Sequence, residues 1–127
     1  MNSGSLLEGT WVPIAADVAG KPLLLGDLRV KYLMLDAGAY SIIDRTNRVV
    51  DSGHYLVNEA AHPATMDIVG RDGPNAGRSM LAIYQLDGDS LTVCYDLESG
   101  ERPPSMQPNQ DQLLLSITYA RALAALS

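Results

Sequence analysis

A chain of 127 residues with 46% hydrophobic and 19% charged side chains has the size and composition of one globular domain, and this excludes a disordered segment too poor in apolar residues to form a core. Its net charge of −6 is the wrong sign for a nucleic-acid partner or an anionic membrane surface, both of which require a positive face. One cysteine allows no internal disulfide, which excludes a small secreted module stapled by bridges.

Short runs of β-branched, aromatic and aliphatic residues are broken by Gly, Asp, Asn or Pro about every ten residues, the spacing of an all-β meander. The opening MNSGSLLEGTW lacks the basic start and apolar run of a signal peptide. No stretch approaches the roughly 18 apolar residues of a membrane helix, so no membrane association and a cytoplasmic location are expected. GTWVPIAADV, Gly9 to Val18, is the first predicted strand, and AGKP turns it. LLLGDL, Leu23 to Leu28, is short enough to be a helical turn. RVKYLMLD (Arg29 to Asp36) and AYSIID (Ala39 to Asp44) form a hairpin, RTNR is the next turn, and VVDSGHYLVN runs from Val49 to Asn58. After EAAHP come ATMDIVG (Ala64 to Gly70) and a long polar loop, GRDGPNAGR. SMLAIYQL and SLTVCYD are strands joined by DGD; a second long loop, ESGERPPSMQPNQD, precedes the last strand, QLLLSITY. ARALAALS ends the chain with good helix propensity. Eight antiparallel strands with short connections close most simply into a barrel, because closure removes exposed edges. An interior of eight strands holds side chains or one small ligand.

The residues that could carry chemistry are few. Asp87 and Asp89 flank Gly88 between two apolar runs. D-G is a strong hairpin signal, and the strand residues that follow supply none of the further ligands of a calcium loop. In SLTVCYD, alternation places Leu91, Val93 and Tyr95 on one face and Thr92 and Cys94 on the other. With the more apolar face inward, Cys94 points outward or into a second layer, and no basic neighbour activates it. His54 shares parity with Ser52 and Leu56 and faces solvent if Tyr55 and Val57 face the barrel; His62 precedes Pro63 in a loop. Two separated histidines make no zinc site. No metal and no cofactor are expected. GRDGPNAGR lacks the Lys-Ser/Thr and helix of a phosphate loop, and reads as a wide hairpin loop at the barrel mouth. Tyr32, Tyr40, Tyr55, Tyr84, Tyr95 and Tyr119 all fall on predicted strands. An apolar ring with a polar tip suits a ligand-contacting wall as well as a packed one. Met34, Met66, Met80 and Met106 suit an adaptable pocket or a core gap.

LEGTW, GKP, SGHYLVN, GRDGPNAGRSMLAIYQLDGDSLTVCY and GERPPSM follow one another in an order and spacing that resembles a small lipocalin-like domain family frequent in planctomycetes and related bacteria, most of it uncharacterised. The resemblance runs from Leu7 to about Tyr119, and the IYQLDGDSL segment is its most specific part. It implies a calycin-type barrel and no particular reaction. It also implies that Trp11 closes the barrel bottom with an arginine over its ring; Arg102 is the candidate. Met106 stands where the family tends to have an aromatic, and ARALAALS extends beyond its usual end.

The expected architecture is therefore one all-β domain over residues 1–127, core about 7–119, an eight-stranded antiparallel up-and-down lipocalin-like barrel with a short C-terminal helical tail. The expected function is binding of a small, apolar or amphipathic molecule in the interior, with Tyr32, Tyr40, Tyr55, Met66, Tyr84 and Tyr95 on the wall. Two alternatives stand beside it. One is a cyclase- or isomerase-type barrel enzyme that shapes its substrate, with Tyr40, Tyr55, Tyr84 and Tyr95 as polar groups and no recognisable catalytic motif. The other is a protein-interaction module with a solid core. In the tail, Leu123 and Leu126 form a short apolar stripe that offers a docking surface for a second copy.

Overall fold

The computed structural model describes residues 6–28, 30–98, 100–107 and 112–122. Among the described residues the backbone forms nine strands in chain order: β1 Gly9–Val18, β2 Lys21–Pro22, β3 Tyr32–Asp36, β4 Ala39–Ile43, β5 Val49–Asn58, β6 Ala64–Asp72, β7 Ser79–Asp87, β8 Ser90–Asp96 and β9 Leu114–Arg121. β2 only extends the turn after β1, with Asp17 and Val18 paired to Pro22 and Lys21. The other eight pair antiparallel with their sequence neighbours, and β9 returns to β1, so the sheet is a closed barrel. Closure leaves no free row of backbone donors and acceptors along the circuit.

The strands occur where the alternating runs predict them. β5 and β8 have the expected bounds, while β3 starts at Tyr32 rather than Arg29 and β9 continues to Arg121. Leu25–Asp27 is a single 3-10 turn, with Leu28 N–H donating to the Leu25 carbonyl. Ala120 and Arg121, expected in a helical tail, are the last residues of β9 instead: Ser90 pairs with Ala120 and Trp11 with Arg121. The ladder partners on both sides outweigh local helix propensity, which is a weak preference. Residues 123–127 of the expected tail lie outside the described residues. Among the described residues no helix is long and apolar enough to cross a membrane.

Side-chain alternation sorts the two faces. Leu33, Leu35, Tyr40, Tyr55, Met66, Ala82, Tyr84, Leu91, Val93, Leu115, Ile117 and Tyr119 point inward and are buried, while Tyr32, Met34 and His54 lie on the outer face. A bulge between Pro13 and Ala15 in β1 shifts the inward set from Trp11 to Ala16. One end of the barrel is plugged by Leu7 and Trp11, both fully buried. Trp11 Nε1 donates to the Leu7 carbonyl at 2.8 Å.

The cation over Trp11 is Arg121, 4.3 Å from the ring centroid, and not Arg102. Arg121 sits at the end of β9 directly opposite Trp11 in register, so the ladder delivers its side chain to the ring. Its guanidinium also donates to the Glu8 and Leu6 carbonyls at 3.0 and 2.7 Å and to Asp89 Oδ1 at 3.2 Å. Arg102 lies on the barrel's outside, where it donates to the Ala82 carbonyl at 2.9 Å and to Asp67 at 2.6 Å. It fastens the loop after β8 across the outer face. Pro103 of that loop is fully buried, and Met106 packs on Ile83, Cys94 and Leu114. Cys94 is thus outside the barrel wall but fully covered, the second-layer position that its parity allowed.

Candidate functional site: an apolar cavity inside the barrel

The interior above the Trp11 plug is hollow. A cavity of about 580 Å³ runs through it, within the roughly 300–1,000 Å³ of small-molecule sites. Its wall is largely aliphatic, including Leu33, Leu35, Ile42, Ile68, Val93 and Ile117. Loop residues Gly26, Thr46 and Pro74 belong to its lining, which places the mouth at the end opposite Trp11. The solid core assumed for an interaction module is absent. Eight strands enclose more volume than the inward side chains fill, since the chain has no phenylalanine and one tryptophan, and that tryptophan is spent on the plug.

Of the residues expected on the wall, Tyr40, Tyr55, Met66 and Tyr95 line the cavity. Tyr32 and Tyr84 do not. Tyr32 precedes inward-facing Leu33 and therefore faces outward, where Lys31 lies 5.2 Å from its ring. Tyr84 is inward and buried, but it sits near the plugged end among core side chains, opposite Ala64 and Val93. Sequence reading omitted three lining residues that matter. Tyr119 is one; its inward parity with Ile117 and Leu115 could have revealed it. Asp51 and Asn75 are the others; Asp51 shares the parity of Tyr55 on β5, while no local signal points to Asn75.

Asp51 faces inward because its β4 partner is Ile42, an inward residue, just as Gly53 is paired with inward Tyr40. Gly53 is required at that place. A Cβ there would overlap the Val69 carbonyl and come within 2.9 Å of the Tyr40 ring. With no side chain in the way, Tyr40 lies across Gly53 and its hydroxyl donates to Asp51 Oδ1 at 3.1 Å. The other carboxylate oxygen accepts from Asn75 Nδ2 at 2.8 Å. Asn75 reaches it because the loop between β6 and β7 folds over Gly70, where any Cβ would collide with the Asn75 backbone. Gly77 N–H donates to the Gly70 carbonyl at 3.0 Å and Gly70 N–H to the Arg78 carbonyl at 2.9 Å. The polar loop thus supplies one polar arm to the cavity. At the mouth Arg45 Nη2 donates to the Leu25 carbonyl at 3.0 Å, tying the 3-10 turn to the β4–β5 turn.

The phenols of the cavity are held neutral. Burial, and then the negative charge of Asp51, pushes Tyr95 up from 10.0 to about 12. Burial and then Asp51, through its charge and its hydrogen bond, raise Tyr40, and burial followed by Tyr95 raises Tyr119. Tyr55 is raised by burial first and by the charge of Glu8 second. Burial likewise pushes the Cys94 thiol up, the opposite of what a nucleophile needs. The folded chain keeps these phenol protons to higher pH than the unfolded chain does. Their contribution to stability is therefore complete below pH 10 and is lost as pH rises from 10.0 through about 12. Phenolate absorbance followed against pH is expected to show Tyr40, Tyr55, Tyr95 and Tyr119 ionising late and together with unfolding. Independent titration of these four at the ordinary value would contradict this.

Among the described residues, no group of three His, Cys, Asp or Glu side chains converges as a metal site. His54 is exposed on β5 and His62 lies in the β5–β6 loop. Asp87 and Asp89 belong to the β7–β8 hairpin, in which Gly88 takes a φ of 59°, the first central position where a type II′ turn favours glycine. What the site can do is enclose an apolar molecule and offer it neutral phenols, the Asp51 carboxylate and, at the β4–β5 turn, the Asp44 and Arg45 side chains. No family model, curated protein or solved structure matches the chain.

Proposed function

We propose that the protein is a small-molecule-binding barrel of lipocalin-like type that holds a largely apolar ligand in its interior. The observation that supports this reading is the cavity of about 580 Å³ with a mainly aliphatic wall and a mouth framed by loops. A small domain close-packs its interior unless something favours the void, because unfilled volume is costly. The polar groups on the wall are few and convergent, as in sites that orient a ligand. The tyrosines are neutral donors and not activated bases, and Cys94 is sealed behind the loop after β8, so binding accounts for the arrangement without a chemical step.

Titration with Nile red, a neutral apolar dye, tests the proposal. Saturable binding with one dye per chain and a blue-shifted emission is expected. Ile68→Trp, which fills the cavity from β6, is expected to abolish binding while leaving the far-ultraviolet circular dichroism of the barrel in place. No dye uptake by the native protein, or equal uptake by the filled variant, would remove the interior as a binding site.

A further inference from the structure

We propose that the cavity takes an apolar molecule bearing a protonated amine, with the Asp51 carboxylate as its counter-charge and the rings of Tyr40, Tyr95 and Tyr119 around it. This rests on the binding reading above and names the ligand's chemistry.

Asp51 is a half-buried carboxylate on the inner wall of an otherwise apolar chamber. Its two protein partners, Tyr40 and Asn75, are neutral donors. The ion pairs among the described residues are Arg102 with Asp67 and Arg121 with Asp89, both remote from it. A charge inside an apolar site calls for an opposite charge. A carboxylate accepts about four hydrogen bonds, so Asp51 has capacity left beyond its two. Arg45 and Asp44 line the cavity together at the β4–β5 turn; the Arg45 guanidinium donates to the Leu25 carbonyl and forms no ion pair with Asp51.

Tyr119 belongs to the same lining and is 4% exposed. Its ring and those of Tyr40 and Tyr95 line the same chamber, and the faces of aromatic rings attract an organic cation, the more so away from water. With the phenols held neutral, Asp51 is the acidic side chain among them, while Asp44 and Arg45 belong to the lining at the β4–β5 turn. A ligand carboxylate would be repelled by it, and a ligand alcohol would leave it unneutralised. The net charge of −6 also favours approach of a cation.

Three compounds with one apolar body separate the possibilities: 4-phenylbutylamine, 4-phenylbutanol and 4-phenylbutanoate, titrated at neutral pH by calorimetry. The amine is expected to bind at least about tenfold more tightly than the alcohol, and the carboxylate most weakly. Asp51→Asn is expected to bring the amine down to the level of the alcohol while the alcohol binds as before. Equal affinities, a preference for the carboxylate, or an amine preference that survives Asp51→Asn would overturn the proposal. If Asp51→Asn does not fold, the ranking on the native protein decides, with the amine's advantage expected to shrink as salt is raised. Nile red distinguishes the two levels of failure. Dye uptake without amine preference defeats only the amine assignment. Absence of both defeats the container reading as well.

Discussion

Replacing Trp11 by alanine is expected to destabilise the barrel by about 3–5 kcal/mol, the cost of truncating a large buried aromatic. Three losses add up at this position. A fully buried ring is removed from the plugged end, leaving a void that Leu7 cannot fill by itself. The Leu7 carbonyl loses the indole N–H that it accepts from at 2.8 Å, and an unmet buried acceptor costs about 1–3 kcal/mol in its own right. Arg121 loses the ring face 4.3 Å away, although its contacts to the Glu8 and Leu6 carbonyls can persist. Against a typical total stability of about 5–15 kcal/mol, the loss is large enough to bring the variant near its midpoint at room temperature. Urea unfolding followed by circular dichroism checks it. Arg121→Ala should cost less, because the cation and its backbone contacts are partly exposed while the indole is not. If Arg121→Ala proves the more damaging of the two, the plug depends on the arginine's backbone contacts more than on ring burial.

Gly53→Ala is expected to cost about 2–3 kcal/mol, as overpacking without room for relaxation does. Elsewhere, replacing glycine by alanine stabilises by roughly 0.4–1 kcal/mol through the unfolded chain. Here sterics dominate, because the added methyl meets backbone, the Val69 carbonyl and the Arg71 nitrogen, as well as the Tyr40 ring. Either β5 separates from β6 or Tyr40 swings away from Asp51. The substitution therefore has a second readout: weaker binding of any ligand that depends on the Tyr40–Asp51 pair. Gly26→Ala is the control, since a Cβ there meets nothing within 4 Å. An unchanged melting temperature for Gly53→Ala, equal to that of the control, would show that the strand accommodates the methyl and that glycine is dispensable at this crossing.

Much of the barrel was legible before any coordinates, and the legible parts share a cause. Period-two alternation and turn chemistry act over a few residues, so SLTVCYD and VVDSGHYLVN reveal their bounds and their inward faces directly. Cys94 and His54 fall where parity puts them. The misplacements share a cause too. Tyr32 and Tyr84 were grouped with the cavity tyrosines by residue type, but one has outward parity and the other sits near the plugged end. Arg102 was matched to Trp11 by resemblance, while the β1–β9 ladder brought Arg121 to the ring. Asp89 looked like turn chemistry alone, yet its backbone carbonyl and side chain both receive Arg121.

By itself the sequence determined an all-β chain, the eight strands of its barrel, its hairpins and the inward faces of β5 and β8, because these follow from local alternation and from the conformations open to Gly, Asp and Asn. Only the tertiary structure decided that the barrel is hollow, that Arg121 closes it with Trp11, and that Asp51, Tyr40, Asn75 and Tyr119 share one cavity. Asp51 and Asn75 lie 24 positions apart. Their meeting depends on strand register, on a loop folded over Gly70 and on a glycine opposite Tyr40, relations between strands that no local pattern encodes.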